Sequence, residues 1–139
     1  MSSNKYRYQS EIFFEEMDAI GLLHHPRYLY HAERAQQNFF QHLLGVKDFN
    51  SERDEDIYVV VKSIQLEMKV AVRNPGPIFI DLDLGKIRGG SVVMNFTVLS
   101  PDEKITYANG SRTIVKISAK NHQPTIWTDA FRKKLDDWS

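Results

Sequence analysis

From Ile57 to Ser118 the chain reads as one β-strand after another, and a single amphipathic helical pattern precedes them. That order leaves few folds open. In "IYVVVKSIQLEMKVAV", Ile57, Val59 and Val61 alternate, then Ile64, Leu66, Met68, Val70 and Val72 alternate in the opposite phase. A side-chain period of two cannot change phase without an extra residue, so a β-bulge or bend is predicted at Lys62 and Ser63. "RNPGP" then turns the chain. Ile78, Ile80, Leu82 and Leu84 mark the next strand, with Asp81 and Asp83 on its other face. After "RGG", Val92, Met94, Phe96 and Val98 mark another, and "SPDEK" leads into a long last strand, "ITYANGSRTIVKIS".

Upstream, "YRYQSEIFFE" has the aromatic and β-branched content of a strand. A glycine-containing turn follows, and Pro26 suits a first helical turn, where its missing N–H is not needed. Leu29, Ala32, Gln36, Phe39, Phe40 and Leu43 then fall on one mostly apolar stripe, and Gly45 stands where a helix ends. "DFNSERDED" reads as a polar connection, and "TDAFRKKLDDW" as a short helix opened by Thr128 or Asp129. The order strand, helix, four strands predicts an α+β domain over residues 1–139, an antiparallel sheet with one long helix on one face. The sheet then has another surface to bury, which points to a partner subunit.

Charge and composition narrow the function. Eighteen Lys and Arg balance 18 Asp and Glu, so the net charge is zero and a nonspecific nucleic-acid binder is not expected. There are no cysteines, which excludes disulfides, thiolate metal sites and a cysteine nucleophile. No apolar run approaches the roughly 20 residues that span a bilayer. "MSSNKYRYQSE" lacks the apolar core of a secretory signal, so no membrane insertion and a cytoplasmic location are expected. His24 and His25 are adjacent with no third ligand in view, so no metal and no cofactor are expected.

The stretch "MDAIGLLHHPRYLYHAERA" gathers a carboxylate, two imidazoles and a helix start. It resembles the signature of the hotdog-fold acyl-CoA thioesterases of the 4-hydroxybenzoyl-CoA thioesterase and YbgC-like type. Asp18, Gly21, His25, Tyr28 and Glu33-Arg34-Ala35 occupy the family's places. "VVKSIQLEMKVAV" and "GKIRGGSVVMNFTVL" are similar to the family's first long strand and the following turn and strand. Met17, His24, Met68 and Val70 depart from the residues common there, which leaves the acyl group open.

The resemblance implies a hotdog fold, a sheet wrapped around a central helix, and hydrolysis of a thioester to a carboxylic acid and free CoA. Asp18 would attack the carbonyl or deprotonate a water, and both roles stay open. His25 would assist and Tyr28 would line the site. Backbone amides at the helix start, with Gly21, Leu23, His24 and His25 as the candidates, would hold the oxyanion. Glu33 is the rival carboxylate, with a structural ion pair as its plainer reading. An aspartate before a helix is also commonly a cap or turn former.

Basic side chains at Lys62, Arg73, Lys86, Arg88 and Arg112 fall near strand ends and turns and suit the phosphates of CoA. The resemblance points to Lys62, Ser63, Arg88, Gly89, Gly90 and Ser91 as substrate-binding residues, with coenzyme A entering as part of the substrate. It also implies a homodimer joined edge to edge, with a tetramer as a further possibility. Two other functions are compatible: hydrolysis of an acyl carrier protein thioester, and a noncatalytic hotdog module binding acyl-CoA or acyl carrier protein. A dehydratase fits less well, since those proteins carry a different histidine motif on the helix.

Overall fold

A computed structural model describes residues 4–50 and 52–139. Five strands, β1 (Tyr6–Ile12), β2 (Val59–Met68), β3 (Gly76–Ile87), β4 (Ser91–Leu99) and β5 (Thr106–Lys116), form one antiparallel sheet. Their order is β1-β3-β4-β5-β2. The long helix α1 (Pro26–Leu44) and the short α2 (Asp129–Trp138) complete the domain. Among the described residues, no helix is long and apolar enough to cross a membrane.

The inner strands follow from period two. Ile78, Ile80, Leu82 and Leu84 on β3 and Val92, Met94, Phe96 and Val98 on β4 are all buried, on the sheet face shared with Ala108 and Ile114 of β5. The opposite face is not simply solvated: Arg7 of β1 donates to both oxygens of Asp81, at 2.7 and 2.8 Å, and Asn95 donates to Asp83. On β5, a Cβ at residue 110 would stand 2.0 Å from the Gln65 carbonyl oxygen, so only glycine fits where β2 crosses closest.

Helix α1 begins at Pro26 and ends at Gly45, whose φ of 68° is the left-handed conformation that closes a helix. Its buried face is wider than the predicted stripe. Tyr28, His31 and Ala35 join Ala32, Gln36, Phe39, Phe40 and Leu43, whereas Leu29 is only half-buried. A helix cradled by a curved sheet presents more than the narrow seam that a simple spacing count picks out.

Two predicted strands are shorter than expected. β1 stops at Ile12, because the Glu16 side chain takes the Phe13 N–H and residues 14–16 form a 3₁₀ turn. β2 carries the predicted bulge, between Val61 and Ser63, but ends at Met68. Lys69 and Val70 both donate to the Tyr107 carbonyl, which draws the chain out of register toward Val72.

β2 is an edge strand paired only with β5. Val60, Val61, Ile64 and Met68 are 40 to 52% exposed on it, an apolar edge of the kind that aggregates unless covered.

The polar connection is more than a linker, since Asp54 and Asp56 within it are buried. The Lys116 ammonium, 1% exposed, donates to Asp56 at 2.8 Å and to Glu55 at 2.9 Å. Asp56 also accepts from the Thr128 hydroxyl and amide, and Thr128 in turn caps α2 at Phe131. Burial works against the charge on Lys116, but these bonds outweigh it and hold its pKa above the ordinary value. Removing one partner would strand a buried ion. Asp56→Ala is therefore expected to destabilise the fold by about 3–5 kcal/mol, read as a drop in urea midpoint with loss of α2 protection.

Candidate active site at the hairpin before helix α1

Residues 17–24 form a tight hairpin between β1 and α1. Its neck is a bridge between Met17 and Leu23, flanked by the His24 N–H donating to the Glu16 carbonyl at 3.0 Å. Leu23 donates to the Val72 carbonyl at 2.9 Å, which ties the hairpin to the segment beyond β2. Gly21 sits at φ 80°, a conformation that a side chain would strain, and its N–H donates to the Asp18 carbonyl.

Asp18 shapes this turn with half of its carboxylate. Oδ1 accepts the amides of Ile20 and Leu22, each at 3.0 Å. Among the described residues Oδ2 accepts no hydrogen bond, and Asp18 is only part-buried. It lies on the wall of a cavity of about 610 Å³ with Phe14, Met17, Gly21 and Arg73. A carboxylate held by two amides through one oxygen has a fixed direction for the other. That is the preorganisation that attack on a carbonyl, or on a water beside one, requires.

Three of the expected oxyanion donors already have acceptors within the chain. The N–H groups of Gly21 and His24 close the hairpin on Asp18 and Glu16, and that of Leu23 goes to Val72. Of the four candidates, the His25 amide, at the cap of α1, is the one with no acceptor among the described residues. The His24 and His25 rings are exposed and meet edge to face, 5.0 Å apart, and neither lines the cavity around Asp18.

Tyr28 belongs to the core. It is 2% exposed and is not on the wall of the cavity around Asp18. Burial pushes its phenol pKa up, which keeps it protonated. Glu33 is half-exposed on α1, with Oε1 at 3.9 Å from Arg112 Nη2, the ion-pair geometry of its plainer reading. Arg112 is itself buried, with Nε and Nη1 unpartnered, and burial lowers its pKa.

The other predicted binding residues divide. Lys62, Gly90 and Ser91 share a second cavity of about 670 Å³, together with His122, Thr125 and Ile126. Ser63, Arg88 and Gly89 do not line it. Gly90, unlike Gly89, has a steric reason to be glycine. The Gly89 and Gly90 carbonyls accept from Trp127 and Lys116, and a Cβ on Gly90 would stand 2.1 Å from the Thr125 oxygen. Arg88 uses its carbonyl to accept from Arg132.

Arg73, expected from sequence only as a basic group for the CoA phosphates, joins Asp18 through the turn after β2. One pair was not singled out from sequence as site residues. Glu16 and His31 form a buried pair, Oε1 to Nε2 at 2.7 Å, and nothing in the local spacing announces a contact 15 residues apart. Among the described residues, no group of three or more His, Cys, Asp or Glu side chains could hold a metal ion.

An antiparallel sheet wrapped around one long helix defines the hotdog class. No family model matches the chain. It is 23% identical over 93 residues to the acyl-CoA thioesterase YbgC of Haemophilus influenzae, covering 67% of this chain and 68% of that protein. Among solved structures, the 1,4-dihydroxy-2-naphthoyl-CoA thioesterase Slr0204 of Synechocystis superposes with a TM-score of 0.81 at 7% identity, covering 96% of both chains. A 4-hydroxybenzoyl-CoA thioesterase variant complexed with 4-hydroxybenzoyl-CoA superposes with a TM-score of 0.80 at 12% identity, covering 96% of this chain and 99% of that one. The fold of this chain is the hotdog fold, and the resemblance to hotdog thioesterases read from the sequence is borne out.

Burial is the largest influence on His31 and moves its pKa below the ordinary 6.5. Glu16 pulls upward against it, and Arg34 and Arg27 add to the lowering. The unfolded chain then takes up that proton more readily than the folded one. Stability from this group is complete above pH 6.5 and lost as pH falls toward the folded value. Between about pH 7.5 and about pH 5.5, the urea midpoint of the wild type should fall more steeply than that of His31→Phe.

Proposed function

We propose that the chain is an acyl-CoA thioesterase that releases a carboxylic acid and free CoA. The observation that carries this reading is the half-committed Asp18 carboxylate: two backbone amides fix Oδ1, Oδ2 accepts no hydrogen bond among the described residues, and Asp18 lies on a cavity wall. The fold and the acyl-CoA thioesterase among its sequence relatives support the same chemistry.

In this mechanism, Asp18 Oδ2 either adds to the thioester carbonyl or takes a proton from a water that adds. The carbonyl oxygen gains charge as the tetrahedral intermediate forms. The His25 amide, at the positive end of α1, is the donor left for it, and the exposed His25 ring stands beside it. Collapse of the intermediate expels the CoA thiolate, which takes up a proton to leave as free CoA. In the direct-attack route a water then hydrolyses the Asp18 acyl anhydride, releasing the carboxylic acid and restoring the carboxylate. Lys62 and Ser91 on the second cavity, and Arg73 on the first, are the polar groups proposed to meet the phosphates and pantetheine. An acyl carrier protein thioester would present the same pantetheine arm.

The chain is proposed to act as a homodimer in the cytoplasm, with β2 paired against β2 of a second copy. Such pairing satisfies the open edge and covers the apolar side chains along it.

Two measurements test these statements. With a panel of acyl-CoAs followed by thiol release, Asp18→Asn should lower kcat by roughly two or more orders of magnitude. Activity retained in that variant would move the chemistry to Glu33, and a wild type that turns over no thioester would favour a binding module. In sedimentation equilibrium, the wild type should run at twice the chain mass and Ile64→Lys as a monomer. A wild-type monomer at all concentrations would end the dimer proposal.

A further inference from the structure

Behind the hairpin lies a row of buried polar side chains that no step of the proposed hydrolysis uses. Ser10 of β1, His31 of α1 and Glu16 of the 3₁₀ turn are 5, 0 and 4% exposed. Ser10 Oγ stands 2.5 Å from His31 Nδ1, and His31 Nε2 stands 2.7 Å from Glu16 Oε1. In composition this is a serine–histidine–carboxylate triad. A nucleophile must meet an acyl carbon, however, and Ser10 is buried and on the wall of neither cavity described above.

Its geometry suits a different task. With the ring neutral and its proton on Nε2, His31 donates to Glu16 and accepts from the Ser10 hydroxyl, so both nitrogens are satisfied. Glu16 carries the connection onward. Its Oε2 accepts the Phe13 N–H at 2.7 Å, and its backbone carbonyl accepts the His24 N–H at 3.0 Å. One residue therefore holds the chain on both sides of the hairpin neck, two positions before Asp18. Leu23 on the far side of that neck bridges to Met17 and donates its own N–H to the Val72 carbonyl.

We infer that Ser10, His31 and Glu16 form a positioning relay that ties the base of the 17–24 hairpin to β1 and α1 and so sets where the Asp18 carboxylate stands. The inference rests on the reading of Asp18 as the reacting group. The relay touches no substrate; it acts through the Glu16 main chain. An apolar trio of similar size would fill the same volume but leave the Phe13 amide and the approach to the neck unheld.

The test compares wild type, His31→Phe, His31→Gln and Ser10→Ala, using thiol release from the acyl-CoA panel and amide hydrogen exchange. In His31→Phe, kcat should fall about ten- to a hundredfold with KM little changed, the scale of a displaced reacting group. The amides of Ile20, Leu22 and His24 should exchange faster, while those of β3 and β4 keep their protection. Glutamine offers an N–H toward Glu16 and an oxygen toward Ser10, so His31→Gln should recover most of the rate and the protection. Should His31→Phe fail to fold, Ser10→Ala removes one bond of the relay and carries the same two readouts in smaller measure. Unchanged hairpin exchange and unchanged kcat in the folded variants would overturn the inference. So would a stability loss that glutamine does not reverse. If the wild type hydrolyses no thioester, the exchange data still decide the relay, and only the hydrolytic reading is lost.

Discussion

The burial of α1 against one face of the sheet is the constraint from which the rest of the molecule follows. Ala32, Ala35, Phe39 and Phe40 on the helix close over the inward rows of β3 and β4, and all are removed from water. Burying aromatic and aliphatic side chains at about 25 cal/mol per Å² is the dominant favourable term in a domain of this size. Once that helix is placed, its first turn must be reached from β1 across a short span, and the hairpin of residues 17–24 is the connection. The same packing leaves β2 at the margin, beyond the cover of the helix, with apolar side chains in water.

Polar groups within this core are held in small closed sets, and the sets sit where elements meet. Lys116, Asp56 and Thr128 join β5 to the start of α2, and Ser10, His31 and Glu16 join β1, the hairpin neck and α1. A buried hydrogen bond left unmade costs about 1–3 kcal/mol, so each set specifies one arrangement of its elements. Among the described residues Gln36 Oε1, Trp138 Nε1 and two nitrogens of Arg112 are the exceptions, and Arg112 is a buried guanidinium beside the half-exposed Glu33. It lies opposite Ile64, on the strand next to the open edge.

On the proposed reading, the hairpin is a turn and a reactive site in one object. Asp18 would be a commonplace turn former if both oxygens closed on local amides. With only Oδ1 so used, the turn becomes a mount for Oδ2. The amides of Gly21, Leu23 and His24 are taken up in holding the hairpin and tying it to Val72, and on the proposed reading the His25 amide is the one left for an oxyanion. Rigidity and donor supply compete for the same N–H groups, and a pattern of residue types does not reveal how the competition ends.

Much was legible in the residues themselves. Period-two alternation fixed four strands, the phase slip at Lys62 and Ser63 announced the bulge, and Pro26 and Gly45 marked the helix ends. Those signals are local, because side-chain direction follows from backbone geometry within a few residues. Tertiary structure alone decided that β2 is the edge, that Val72 leaves the strand to pin Leu23, and that Tyr28 sinks into the core. It also decided that Glu16 finds a histidine 15 positions away and that Lys116 finds Asp56. The physical reason is the same in each case. Which amide, carboxylate or ring is left over depends on partners brought together by folding, and chain spacing carries no record of them.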